Sequence, residues 1–436
     1  MPSRIGIRRE DKYDWERRTP LTPQDAKELA DKHGIKFIAQ TSPNRVFGDK
    51  AYQQAGITVA QDLSSCPVVL GIKEIPIEAL NPETTYVFFS HTIKGQSFNM
   101  PMLRHMLSLN CTLIDYEKIT DDNGRRLIFF GNYAGLVGMI ESLWAMQERL
   151  AWEGIETPFQ QIRRVIDCPD LASAKKAIRS VGERIKSEGL PSEISPLVVG
   201  FAGYGNVSRG AQEILDLLPT HEIPPQDLAT LTRSSLRSDD VVYKVVFKEE
   251  DIAERIDTCH PFDLQDYYQH PKRYRGIFSQ YLPYLDVLIN AIYWDKAYPR
   301  LITKQAVKKL YEDGDWRLRV IGDITCDVEG AIECTLKSSN PHNHVYVYDP
   351  IDEQATDGVK GNGPVIMAVD ILPAELPHEA SIFFSGILQG FVPSIAQADF
   401  TTDLDSCGLP PQIKRAVIVY KGELTPDYRY IEQFLL

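Results

Sequence analysis

The stretch VVGFAGYGNVSRG, Val198 to Gly210, starts as an apolar run, passes Gly203 and Gly205 at GxG spacing, and leaves in helical periodicity. A strand feeding a helix through two glycines is the start of a βα unit. The first glycine permits the tight turn, and the second lets backbone N–H groups approach a pyrophosphate at the helix N-terminus. Ser208 takes the third fingerprint position, where a small residue still allows close packing, and Gly210 follows. The alternative is an ordinary tight turn. The strand before it and the helix after it favour a phosphate loop, with Gly203, Tyr204, Gly205, Asn206, Val207 and Ser208 as cofactor contacts. An acid about 20 positions on would bind the ribose of NAD. Pro224 and Pro225 stand there, flanked by Glu222 and Asp227. That leaves NADP(H) open, with Arg233 either a 2′-phosphate contact or a solvated helix-end arginine.

Outward from this stretch, both flanks alternate short apolar runs with helical patterns, the signature of βαβ units. In LTPQDAKELADKHG, Thr22 is placed to cap a helix, Pro23 opens it, Asp25 sits in its first turn and Gly34 ends it. The long apolar pattern from Gly135 to Gly154 suits a helix spanning two domains. The alternation predicts a protein of two α/β domains, the second inserted in the first. Residues 1–133 plus 345–436 would form a substrate and catalytic domain, and 134–344 a dinucleotide-binding domain. The segment Asp239–Arg275 is polar and aromatic and resists assignment.

At 436 residues with 25% charged and 43% hydrophobic residues, the composition is that of a globular chain of two or three domains. A net charge of −13 argues against nucleic acid or an anionic membrane as partner. No apolar run approaches the roughly 18 residues that cross a bilayer. Seven cysteines, scattered and without a CxxC pair, suggest neither a disulfide framework nor a zinc site. With no apolar leader pattern in MPSRIGIRRE, the expectation is a soluble cytoplasmic protein.

Two more apolar runs end on chemistry. GIKEIP places Lys73, and FFSHTIKGQ places His91 and Lys94, at strand C-termini, the edge where parallel sheets bind ligands. Each alone reads more readily as an end-cap or loop residue. Together they form an acid/base pair, with Lys94 adding charge for an anionic substrate. Arg18 in WERRTPLTP stands just before a helix start, either as a carboxylate clamp or as a partner of Glu16. Asp323 and Asp327 follow another apolar run and either face a cleft or cap a turn.

GIRREDKYDWERRTPLTP, GIKEIP, FFSHTIKGQ, GNYAGLVGMI, GYGNVSRGAQEI, LINAIYWDKAYPRLIT and GDITCDVEGAIE closely resemble the lysine-ketoglutarate reductase half of bifunctional aminoadipic semialdehyde synthases. More distantly, the chain resembles lysine-forming saccharopine dehydrogenase and alanine dehydrogenase. The resemblance runs the length of the chain. It implies two Rossmann-like domains around a cleft, and condensation of L-lysine with 2-oxoglutarate followed by reduction with NADPH to saccharopine. It also implies Lys73 and His91 as acid/base residues, Arg18 and Lys94 as cations for substrate carboxylates, and Asp327 near the nicotinamide. A separate saccharopine dehydrogenase as partner and a homo-oligomer are both compatible with it. The rival readings are an NAD(H)-dependent lysine-forming saccharopine dehydrogenase, an opine- or alanine-dehydrogenase-like reductase, and a catalytically dead dinucleotide-binding regulatory module.

Overall fold

Val68 and Leu70 pack into one apolar cluster while Val69 between them packs into another. The strand therefore lies in a sheet covered on both faces, as parallel strands require. In the computed structural model, which describes residues 4–231, 238–314 and 316–435, that sheet belongs to a unit of Met1–Phe130 with Pro377–Leu436. Its strands β1 (Arg4–Ile7), β2 (Lys36–Gln40), β3 (Thr58–Ala60), β4 (Val68–Leu70), β5 (Thr85–Phe88) and β6 (Thr112–Asp115) run parallel in the order β6-β5-β4-β1-β2-β3. The strand Val417–Tyr420 pairs antiparallel with β6 and brings the C-terminal segment into this sheet. The winding reverses between β1 and β4, so the loops leaving their C-terminal ends diverge and open a crevice there.

The helix Pro23–His33 follows its sequence signals. Thr22 Oγ1 accepts from Asp25 N–H, Pro23 opens the helix, and Gly34 closes it at φ 67°.

The second unit, Gly131–Leu376, is inserted in the first. Its strands are β7 (Leu197–Ala202), β8 (Thr220–Glu222), β9 (Val242–Phe247), β10 (Ala253–Arg255), β11 (Tyr274–Gly276), β12 (Val287–Asn290), β13 (Val320–Asp323), β14 (Val345–Asp349), β15 (Gln354–Asp357) and β16 (Val365–Met367). β10 and β11 form a separate antiparallel pair, and the others form one sheet ordered β15-β14-β16-β13-β12-β7-β9-β8. The long helix Gly131–Trp152 packs against it and is buried around most of its circumference from Leu136 to Leu150.

One expectation is corrected. The chain returns to the first unit at Pro377, not at 345, because β14, β15 and β16 complete the second sheet. The strand beside β7 is β9, with β8 outside it. The unassigned stretch 239–275 thus contains the inner strand of the sheet and the helix Leu264–Gln269.

Candidate active site

Register sets the first group of residues. Ile7 of β1 lies beside Leu70 of β4, and Leu70 beside Val87 of β5. Lys73 and His91 therefore emerge from neighbouring strands at one sheet edge. Phe89 N–H donates to the Ile72 carbonyl at 3.0 Å, which ties the two exits together. Glu10, buried on the loop after β1, accepts from the backbone N–H groups of Ile72 at 2.7 Å and Lys73 at 2.9 Å. Burial pushes its carboxyl up to about 7, with Arg8 opposing and Glu16 adding to the rise.

His91 sits at φ 47°, in the left-handed region that side chains other than glycine seldom adopt. Asn99 Nδ2 holds it there, donating to the carbonyls of Ser90 and His91 at 3.2 Å each. Ser90 in turn donates through N–H and hydroxyl to buried Asp115 at the end of β6. A conformation costing about 1–3 kcal/mol that is held by this many bonds is typical of a working residue.

Glu74 connects the group. His91 Nδ1 lies 2.8 Å from Glu74 Oε1, and Lys12 Nζ lies 2.9 Å from Glu74 Oε2. Burial alone would raise the Glu74 carboxyl. The hydrogen bond and charge of His91, with Lys73 and Lys12, instead hold it well below the usual range. An ionised Glu74 only accepts, so Nδ1 carries a ring hydrogen and Nε2 is the ring nitrogen left outside this contact. His91 is half-buried, as Lys73 is, and Lys94 is exposed on the turn that follows.

Arg18 is buried and paired with Glu16, through Nε at 2.8 Å and Nη2 at 2.6 Å. Its guanidinium stacks 4.3 Å from the centre of the Phe130 ring. The ion pair weighed from sequence is made, and it is buried. Two of the three guanidinium nitrogens face Glu16, leaving Nη1 for another acceptor.

In the second unit, Ala202, Phe247 and Asn290 are register neighbours, so the loops after β7, β9 and β12 converge. They line a cavity of about 490 Å³ with Gly203, Gly205, Lys248, Trp294 and the tyrosines 268 and 298 among its walls. Gly203 turns at φ 93°, where a Cβ would meet Ile292 at 3.0 Å. A Cβ on Gly205 would meet nothing within 4 Å. Gly205 is the N-cap of the helix Asn206–Leu215 and supplies no side-chain cap, so the helix's first N–H groups are presented openly. Tyr204 and Asn206 are exposed, Val207 is half-buried, and Ser208 is fully buried and accepts from Gln212 at 3.0 Å. Close packing falls instead to Gly210 and Gly135, whose Cβ positions lie 2.3 Å from Asn132 O and 1.9 Å from Val207 O. The loop, the open helix start and the aromatic walls fit a dinucleotide.

The residue opposite the ribose position is corrected. The inner strand β9 ends at Phe247 and leads into Lys248 and Glu249, so Pro224 and Pro225 do not occupy that place. Glu249 accepts from Tyr268 OH at 2.6 Å and Tyr204 OH at 3.1 Å. Arg233 lies outside the described residues. Asp323 is buried in a network with Asn290, Thr325 and Thr335, and burial raises its carboxyl. Asp327 is exposed on the turn after β13, in the second unit. Glu10, Lys12, Glu74, Asn99 and Glu249 were not singled out from sequence. Glu74 was visible beside Lys73 in GIKEIP, but nothing in spacing alone shows which partner a carboxylate takes.

Residues 6–137 match the family model "Alanine dehydrogenase/PNT, N-terminal domain". Over 98% of its length the chain is 40% identical to an alpha-aminoadipic semialdehyde synthase of Arabidopsis thaliana and 35% identical to the mitochondrial one of Bos taurus. It covers 41% and 47% of those proteins, and so spans about half the length of the curated relatives it matches. The structure aligns with an L-alanine dehydrogenase at TM-score 0.64 and 17% identity, over 99% of this chain and 100% of that one, a likeness of fold. Residues 6–137 thus match an alanine dehydrogenase/PNT N-terminal domain, and nearly all of the chain is similar to about half of an alpha-aminoadipic semialdehyde synthase.

Proposed function

We propose that the chain is a lysine–2-oxoglutarate reductase. It condenses the ε-amine of L-lysine with the keto group of 2-oxoglutarate and reduces the imine with NADPH to saccharopine, the first step of lysine degradation. The observation that carries this reading is the Lys73–Glu74–His91 group at one sheet edge, in a chain similar over 98% of its length to the synthases.

The attacking amine must be neutral, and the carbinolamine must lose its hydroxyl as water. His91 Nε2, free to accept because Glu74 holds Nδ1–H, takes the amine proton. Lys73, whose backbone Glu10 fixes, donates to the departing hydroxyl. Glu74 steadies the charged imidazolium that results, as a carboxylate does for histidine in a catalytic triad. Arg18 through Nη1, and Lys94, bind substrate carboxylates. Asp327 stands near the nicotinamide. NADPH, when bound, supplies the hydride to the imine carbon.

Gly203, Gly205 and the start of the helix Asn206–Leu215 hold the pyrophosphate. Lys248, exposed at the end of β9, replaces the unassigned 2′-phosphate contact. Glu249 favours a second reading, NADH, because an acid at the end of this strand binds ribose hydroxyls. Its engagement by two tyrosines leaves Lys248 the available charge. The seven cysteines are free, in keeping with a reducing compartment. A cytosolic location is the reading from sequence, while the bovine relative is named mitochondrial; cell fractionation decides between them.

The test is NADPH absorbance with lysine and 2-oxoglutarate, each omitted in turn. Oxidation should require both. Equal turnover with ammonia and pyruvate would transfer the chain to the alanine dehydrogenase activity, and cofactor binding without turnover on any amine would revive the regulatory module.

A further inference from the structure

Three buried ligating groups meet inside the second unit. Glu141 projects from the long helix Gly131–Trp152, His344 immediately precedes β14, and Glu375 ends the turn Leu372–Glu375. Their exposures are 0%, 3% and 4%. Their ligand atoms all lie within 4.8 Å of one another. His344 Nε2 is 3.5 Å from Glu141 Oε2 and 3.2 Å from Glu375 Oε1.

Among the described residues, His344 Nε2, Glu141 Oε2 and both Glu375 oxygens make no hydrogen bond. Buried polar atoms are seldom left so, and two buried carboxylates facing each other are costly without positive charge between them. Burial, with mutual repulsion, raises Glu141 well above its usual range, and burial raises Glu375 to about 8. The two contacts at Nε2 are longer than the about 2.7–2.9 Å of a charge-assisted hydrogen bond. They do match the edge of a tetrahedron, about 3.3 Å, around a cation with ligand bonds of about 2.0–2.1 Å.

We propose that Glu141, His344 and Glu375 form a divalent-cation site of the zinc type, one imidazole nitrogen and two carboxylate oxygens with solvent as fourth ligand. Imidazole with carboxylates suits a borderline ion such as Zn²⁺ rather than Ca²⁺, which takes oxygen alone. With the ion on Nε2, His344 Nδ1 carries the ring hydrogen. The hydrogen bond that Arg164 Nη1 donates to Nδ1 at 3.3 Å then gives way, and Arg164 stays on Asp167, to which its Nε donates at 2.9 Å. The remaining Glu141 oxygen accepts from Val165 N–H at 2.7 Å, which orients the carboxylate toward the ion. Glu141 lies ten residues after the chain enters this unit and Glu375 one residue before the last, Leu376. The ion would fasten entry to exit.

The experiment strips the full chain with chelator and titrates Zn²⁺, following heat of binding and thermal melting. The expected result is one tight equivalent with a rise in Tm, and binding at least 100-fold weaker in the E141Q/E375Q double variant, whose neutral amides keep the shape of the carboxyls. H344Q is the second arm, should the double variant not fold by circular dichroism. Absence of a tight equivalent in the parent chain would overturn the proposal, leaving protons to neutralise the pair. Undiminished binding in the folded variants would also overturn it, placing the ion elsewhere, for example on exposed Cys259.

Discussion

In the proposed mechanism Lys73 and His91 serve one proton path, from the attacking amine to the departing hydroxyl, and that dictates how their variants combine. Positioned acid/base groups contribute about 10²- to 10⁴-fold. Lys73→Met and His91→Gln should each lower kcat within that range and leave NADPH affinity nearly unchanged, as steady-state kinetics and fluorescence titration would show. The double variant should be little worse than the poorer single one, because the two serve one proton path. Near-normal kcat in either single variant would make that residue an ordinary strand-end side chain. Glu74 makes a separate prediction. Its carboxyl is lower in the folded chain than the unfolded value of 4.5, so its contribution to stability is present above that pH and is lost as pH falls below it. Urea unfolding of Glu74→Gln should show lower stability than the parent at pH 7 and a shallower loss toward acid. Identical slopes would mean that Glu74 is not ionised against His91. At this scale the sequence showed positions but not partners. Lys73, His91 and Arg18 stood out because they end apolar runs or precede a helix start. Glu10 and Lys12 are charged residues in a charged loop until β1 is laid beside β4.

Glycines separate packing from ligand approach in the elements of the second unit. Gly135→Ala would drive a methyl into the Val207 carbonyl, whose oxygen is 1.9 Å from the Cβ position. Overpacking of this kind costs about 1–3 kcal/mol or more, and a thermal melt should show it as a lowered Tm. Gly205→Ala should melt like the parent, since its Cβ meets nothing within 4 Å. Its NADPH dissociation constant should nevertheless rise tenfold or more, because the methyl stands where the pyrophosphate approaches the helix start. Equal cofactor affinity in Gly205→Ala would move the phosphates off this loop. At the end of β9, Lys248→Ala should raise KM for NADPH and leave that for NADH alone. The converse result would support Glu249 as a ribose contact and NADH as cofactor. Caps and strand–helix alternation were readable here, as Thr22, Pro23 and Gly34 show. Sheet order was not. Nothing in the pattern of β8 and β9 says which pairs with β7, so counting about 20 residues from the loop led to Pro224. The boundary at 345 failed for the same reason: β14 and β16 reveal their sheet only by pairing.

For the whole molecule, a net charge of −13 sits beside a proposed substrate carrying two carboxylates, so specificity must come from local cations and not from the overall field. On the proposed reading Arg18 and Lys94 are those cations in the first unit, and the second unit's glycine loop and aromatic walls serve the cofactor. The insertion of one α/β unit in another was legible from alternation alone. The buried Glu141–His344–Glu375 group was not, because Glu141 lies more than 200 residues from the other two and only folding brings it to them. The account's central claim is that lysine and 2-oxoglutarate are joined and then reduced. Mass spectrometry of the product formed from ¹⁵N-ε-lysine, 2-oxoglutarate and NADPH deuterated at the transferred position tests it most directly. The account predicts one product containing both carbon skeletons, the labelled nitrogen between them and one deuterium on the former keto carbon. A deuterated product lacking the lysine skeleton, such as an amino acid made from free ammonia, would contradict it.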